Sequence, residues 1–203
     1  MIKDVIIRVG AGMAERNLGR LARALKASPR GPAGAGSAVP PGVYALFLRH
    51  PKALPRFVAG DDALLYVGMT MDAHGKRNHF DPSTGNSGFS SPRRSLGAVL
   101  KEHLGLHAIP RSAGGSSTNR SHYRFSEEGE AALSRWMRRN LAMTHVPLPA
   151  DRTRIQRVEK QLIAYLKPPL NLTGFPGGAN RRKLKQLRKI CSDEARSVRG
   201  DRR

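Results

Sequence analysis

A carboxylate placed among aliphatic side chains raises the first chemical question in this chain. Ile155, Val158, Leu162, Ile163 and Leu166 recur at helical spacing and define a buried stripe. Glu159 falls inside that stripe, flanked by Val158 and Leu162, whereas Arg157 and Lys160 take outward positions. An inward carboxylate is unfavourable unless a cation or hydrogen bonds meet it. An internal salt bridge to one of the many arginines would satisfy it. So would a hard divalent cation, Mg²⁺ or Mn²⁺, whose other positions are filled by water and phosphate oxygens. A second group is Arg93 and Arg94, which follow Ser91-Pro92 at the start of a helical pattern. Cations there oppose the helix dipole, but a phosphate docked at that N-terminus would take the free N–H groups and the guanidinium charge together. The alternative is a solvated basic face. A third group is the basic run Asn180–Ile190, with Arg181, Arg182, Lys183, Lys185, Arg188 and Lys189 around Leu184, Leu187 and Ile190. It reads as a basic helix that tracks phosphates, or as a solvated, partly disordered end.

The elements that must position these groups follow from the same patterning. Gly42–Leu48 and Leu64–Gly68 are short runs of branched and aromatic residues, each with one tyrosine, Tyr44 or Tyr66, beside a glycine. They predict two strands of a hairpin joined by the long connection 49–63. Thr144 to Leu148 predicts a third strand. Leu18, Leu21, Ala22 and Leu25 share one helical face, and residues 4–9 suit a short strand. Residues 28–41 hold almost no large side chain and read as a linker. The Ser/Gly-rich stretch up to Ser91 and residues 110–122 read as mobile loops. Ser126 with Glu127 and Glu128 opens a helix whose Leu133, Trp136, Met137 and Leu141 form an apolar side, with Trp136 in the core. Thr153 and Gln156 suit a capping box for the helix carrying Glu159, which Pro168-Pro169 stops.

Composition narrows the partner. The 203 residues contain 36 Lys and Arg against 15 Asp and Glu, a formal net charge of +21. A surface this basic favours a polyanion and should bind nucleic acid with steep salt dependence. No convincing basic helix with a broad apolar face argues for a membrane surface. The single cysteine, Cys191, precludes an internal disulfide. No run approaches the roughly 18 apolar residues of a membrane span, so a soluble, cytoplasmic protein is expected. Charge by itself does not separate an enzyme from a non-catalytic binder or a ribonucleoprotein component.

The triplets Gly42-Val43-Tyr44 and Tyr66-Val67-Gly68, followed downstream by Glu159 and by Pro168-Pro169-Leu170-Asn171, resemble the ordered signature of the GIY-YIG nuclease superfamily over about residues 41–172. The resemblance implies an α+β fold: a small, mainly antiparallel three-stranded sheet flanked by helices. An extension (1–40) would precede a nuclease domain (41–174), and a basic, partly helical tail (175–203) would follow it. It implies a metal-dependent endonuclease acting on nucleic acid, most readily DNA. Glu159 would be the metal ligand, Tyr44 the general base on water and Tyr66 its assistant. An arginine beside the phosphate would be Arg93 or Arg94, with Arg77 in reserve. Asn171 would fix Glu159 or the metal's water shell, and His79 would be a proton shuttle or a plain loop histidine. Gly42 and Gly68 would leave the strand surface open to substrate. The spacer between the triplets is longer than is usual in the family.

Overall fold

Strand β2 (Gly42–Leu48) is buried along its whole length, and the other elements are layered on its two faces. The computed structural model describes residues 15–27, 31–32, 40–54, 63–71, 79–111, 123–174 and 178–200. The expected strand at 4–9 lies outside them. In order, the elements are α1 (Glu15–Ala27), β1 (Gly31–Pro32), β2, β3 (Leu64–Thr70), α2 (Pro82–Gly85), α3 (Ser91–Leu104), β4 (Ala108–Pro110) and β5 (Tyr123–Phe125). Then come α4 (Glu127–Asn140), β6 (Leu141–Pro147), α5 (Arg152–Leu166) and α6 (Ala179–Gly200).

The sheet order is β1-β6-β2-β3, with β2 antiparallel to both neighbours and β1 contributing only a short pairing to β6. The fold is therefore α+β, a three-stranded antiparallel sheet flanked by helices. Because side chains alternate along a strand, β2 feeds two cores. Val43, Ala45 and Phe47 pack with Val67 against Leu21 and Leu25 of α1 and Ile155, Val158 and Leu162 of α5. Tyr44, Leu46 and Leu48 face the opposite core, with Leu96 and Leu100 of α3, Leu133, Trp136 and Met137 of α4, and Leu184 and Cys191 of α6. A register shift between Leu46 and Phe47, paired to Tyr66 and Leu64, leaves Leu65 as the extra residue of a bulge.

Local chemistry sets the helix ends. Ser90 rather than Ser91 caps α3, and Asp151 rather than Thr153 caps α5, accepting from the Arg154 N–H at 3.1 Å. Ser126 caps α4 as expected, and α5 ends on Lys167 in the left-handed region just before Pro168.

Helices α1 and α6, from the stretches read as extension and tail, pack onto the two cores. Residues Leu21 and Leu25 are part of the core. In α6 the buried stripe is Leu184, Cys191 and Ala195, with Ile190 49% exposed. Reading Ile190 as the apolar position turns that helix away from the core. The true stripe, carried by a cysteine and an alanine, lays it on α3 and the β4–β5 pair. Among the described residues, no helix is long and apolar enough to cross a membrane.

Candidate active site

Strand register brings the two tyrosines together. Tyr44 pairs with Gly68 and Leu46 with Tyr66, so Tyr44 and Tyr66 are diagonal neighbours, with ring centroids 6.2 Å apart. Neither motif glycine leaves an open surface. A Cβ on Gly68 would lie 2.5 Å from the Tyr44 hydroxyl and ring, and one on Gly42 would strike the Val146 carbonyl and the His145 ring. Gly68 is thus the space in which the Tyr44 ring lies. Gly68→Ala is expected to destabilise the protein by about 1–3 kcal/mol through overpacking. In thermal melts that loss should shrink in a Tyr44→Ala background, because the obstacle is then gone.

The Tyr44 hydroxyl lies 2.7 Å from His79 Nε2, and His79 Nδ1 lies 2.8 Å from Ser90 Oγ. One tautomer that satisfies both bonds has the proton on Nδ1, donating to Ser90, with Nε2 accepting from Tyr44; in the other the Ser90 hydroxyl donates to Nδ1 and Nε2–H donates to the Tyr44 oxygen. Ser90 also accepts from the Arg93 N–H as the α3 cap. His79 is therefore a member of the tyrosine cluster rather than a plain loop residue. Ser90 was not among the expected site residues, and nothing but its place at a helix start marks it in the sequence.

The adjacent arginines have different surroundings. Arg93 is fully buried and bonds Glu130 from Nε at 3.1 Å and Nη2 at 2.6 Å, Ser134 Oγ at 2.9 Å and the His79 carbonyl at 2.8 Å. Its charge is neutralised by Glu130, so it fits the role of fixing the His79 backbone rather than that of a phosphate-binding cation. Arg94 donates to the carbonyls of Ser87 (2.9 Å) and Gly88 (3.2 Å) and is 4% exposed. Arg188 of α6, expected on a peripheral basic face, is half-buried beside it and donates to Ser95 Oγ at 3.3 Å. Among the described residues, neither Arg94 nor Arg188 has a carboxylate within ion-pair distance. Burial, then the charge of Arg188, pulls Arg94 down to about 10, and burial lowers Arg188 as well. Arg77 lies outside the described residues.

The outer edge of β3 places the remaining groups. The Asn171 side chain accepts from the Val67 N–H (3.0 Å) and donates to the Val67 carbonyl (2.9 Å), while the Leu170 N–H reaches the Leu65 carbonyl at 2.9 Å. One position further along, the Glu159 carboxylate takes the Met69 N–H. Both amide atoms of Asn171 are thus spent on Val67, and it positions the Tyr66-bearing strand rather than touching Glu159. Glu159 is half-buried, and that burial raises its pKa against the opposing Met69 bond. Tyr66 is pushed well above the ordinary phenol value by burial and then by Glu159, while Arg188, Arg94 and Tyr44 act in the other direction. The Tyr66 hydroxyl therefore senses all four of these groups, and stays protonated.

Among the described residues no cluster of three or more His, Cys, Asp or Glu side chains could enclose a metal. Glu159 has no ion pair there either, so the inward carboxylate is not a salt bridge. A single carboxylate without an ion pair is compatible with Mg²⁺, which keeps several waters and completes its shell with phosphate oxygens. The α6 cations divide. Arg182, Lys183, Lys185 and Lys189 are exposed, Lys189 bonding Asp193 at 2.6 Å, while Arg181 and Arg188 are half-buried.

Neither the comparison with curated proteins nor that with solved structures gives a match. A family model for the GIY-YIG catalytic domain matches residues 42–191, from the first motif glycine into α6. With that match spanning most of the chain and the two tyrosines, Glu159 and Asn171 gathered around β3, the chain belongs to the GIY-YIG catalytic-domain family.

Proposed function

We propose that this protein is a divalent-metal-dependent endonuclease that hydrolyses phosphodiester bonds, with DNA as substrate. The observation that carries this reading is the pair of buried Arg94 and half-buried Arg188, two cations without a carboxylate beside Tyr66. Buried like charges are unfavourable until an anion joins them, and a phosphodiester is the anion that a chain of net charge +21 would recruit.

Arg94 and Arg188 hold the scissile phosphate and neutralise charge as it builds on the equatorial oxygens. Tyr44 passes its proton to His79 Nε2 as it takes one from the attacking water, and Ser90 keeps the imidazole in the orientation that accepts it. Tyr66, kept neutral by its surroundings, donates a hydrogen bond and orients the water or a phosphate oxygen. Glu159 would hold the divalent cation, which when bound supplies Lewis-acid stabilisation of the phosphoryl and leaving oxygens. Arg93, Ser90 and Asn171 keep His79 and β3 in register and touch no substrate.

Nicking of supercoiled plasmid in Mg²⁺ or EDTA tests the proposal. The wild type should nick only with the metal. Arg94→Ala should lose about 10²-fold in rate, and Arg94→Lys should recover little, because a compact ammonium does not reproduce the planar fork. Salt-sensitive binding of DNA with no metal-dependent nicking would replace the nuclease by a non-catalytic nucleic-acid binder.

A further inference from the structure

Between α2 and α3 a tightly tied loop presents one large apolar side chain to solvent. Phe89 is 61% exposed, while Ser87, Gly88 and Ser90 on either side of it are buried. The loop backbone is fixed from three directions. The N–H groups of Gly88, Phe89 and Ser90 bond Asn86, at 2.9, 3.0 and 3.0 Å. The Ser87 N–H bonds Glu130 at 2.9 Å. The Ser87 and Gly88 carbonyls are held by Arg94, the same side chain assigned to the phosphate. A phenylalanine projecting from such a loop keeps its apolar face in water without the freedom to turn it inward.

Its surroundings are cationic. The Arg111 guanidinium lies 4.0 Å from the Phe89 ring centroid, a cation–π contact, and its charge is felt at Arg94. Arg111 and Arg124 also flank Gly88. An aromatic ring layered with a guanidinium, joined through its own loop to a phosphate-binding arginine, matches the surfaces on which proteins stack nucleobases. A base inside a continuous duplex already has both faces covered. Only a base that is unpaired or displaced beside the cleaved phosphate is free to use the platform.

We infer that Phe89 and Arg111 form a base-stacking platform that directs this protein to DNA carrying an unpaired nucleotide next to the scissile phosphate. The inference rests on the nuclease reading for its substrate, but its test does not depend on cleavage. Binding is measured in EDTA with the full chain and two short DNA duplexes, one fully paired and one with a single unpaired 2-aminopurine. Phe89→Ala should weaken binding of the second duplex about ten-fold and leave the first unchanged. The quenching of 2-aminopurine seen with the wild type should disappear. Phe89→Trp should restore both, and Phe89→Leu neither. Equal affinity of wild type and Phe89→Ala for the unpaired duplex, or rescue by Leu, would overturn the platform. So would a concentration-dependent dimer that Phe89→Ala dissolves with no effect on DNA. Failure of the nuclease reading is read separately. A wild type that discriminates the duplexes yet never nicks with Mg²⁺ retains the platform and loses the catalysis, whereas a nicking enzyme indifferent to Phe89 does the reverse.

Discussion

Glu159→Gln is expected to fold, bind DNA and lose metal-dependent nicking by roughly 10³-fold or more, the several kcal/mol that a bound Lewis acid contributes to the transition state. The amide oxygen can still accept the Met69 N–H, so the edge of β3 keeps its bond. The pH dependence is a sharper check. Burial raises the pKa of Glu159 in the folded state above its unfolded value, so the folded protein binds the proton more readily. Stability from this group is fully present below the unfolded pKa and is lost as pH rises through the folded pKa. Above the raised pKa, metal-free wild type carries an ionised, desolvated carboxylate that Glu159→Gln lacks. The variant should melt at the same temperature or higher. Mg²⁺ should raise the wild-type melting temperature above the shifted pKa, not below it, and should not raise that of the variant. Nicking should likewise fail on the acid side at a pH above the usual carboxylate range. A Mg²⁺-dependent rise in melting temperature that persists in Glu159→Gln would remove Glu159 as the ligand.

Arg93→Ala should have the largest effect on stability, about 3–5 kcal/mol, because it leaves Glu130 as an uncompensated buried charge. For a chain of this size that is roughly 6–20 °C in melting temperature. His79 would lose the bond to its carbonyl, so residual activity should fall even in protein that remains folded. Arg94→Ala removes a cation that has no carboxylate partner and relieves repulsion with Arg188, but it also leaves the Ser87 and Gly88 carbonyls without their donor, so its melting temperature should fall by less than that of Arg93→Ala. Thermal melts of the two variants side by side decide the assignment. A large loss in Arg94→Ala with none in Arg93→Ala would exchange their roles.

That pair also marks how far the chain could be read before its structure. Both arginines open one helix, and their side chains diverge by the turn of a single residue. The partner that distinguishes them, Glu130, stands among acids that already suit the N-terminus of α4, so nothing local identifies it as buried. The first two strands were legible as short runs of branched and aromatic residues and the inward position of Glu159 from the 3.6-residue period, whereas the third strand was legible only from Thr144, because Leu141, which opens it, also fits the apolar side of α4. His79 and Arg188 were legible only as candidates with open alternatives, for a different reason. Each enters the site through long-range packing, His79 through Ser90 and Tyr44, and Arg188 through a helix whose buried stripe runs from Leu184 on to Cys191 and Ala195 rather than to Ile190. Loop 81–91, rich in serine and glycine, read as mobile. In the structure its small polar residues close around Glu130 and Arg94.

Among the described residues, strand β3 ends the sheet, with no strand beyond it. An uncovered margin of this kind is a template for strand addition between molecules and a route to aggregation. Here Leu170 and Asn171 occupy the backbone groups of Leu65 and Val67, and Glu159 takes that of Met69. The side-chain amide of Asn171 imitates one residue of a neighbouring strand without supplying a strand. The residues that close the family motif thus also cover this margin against self-association.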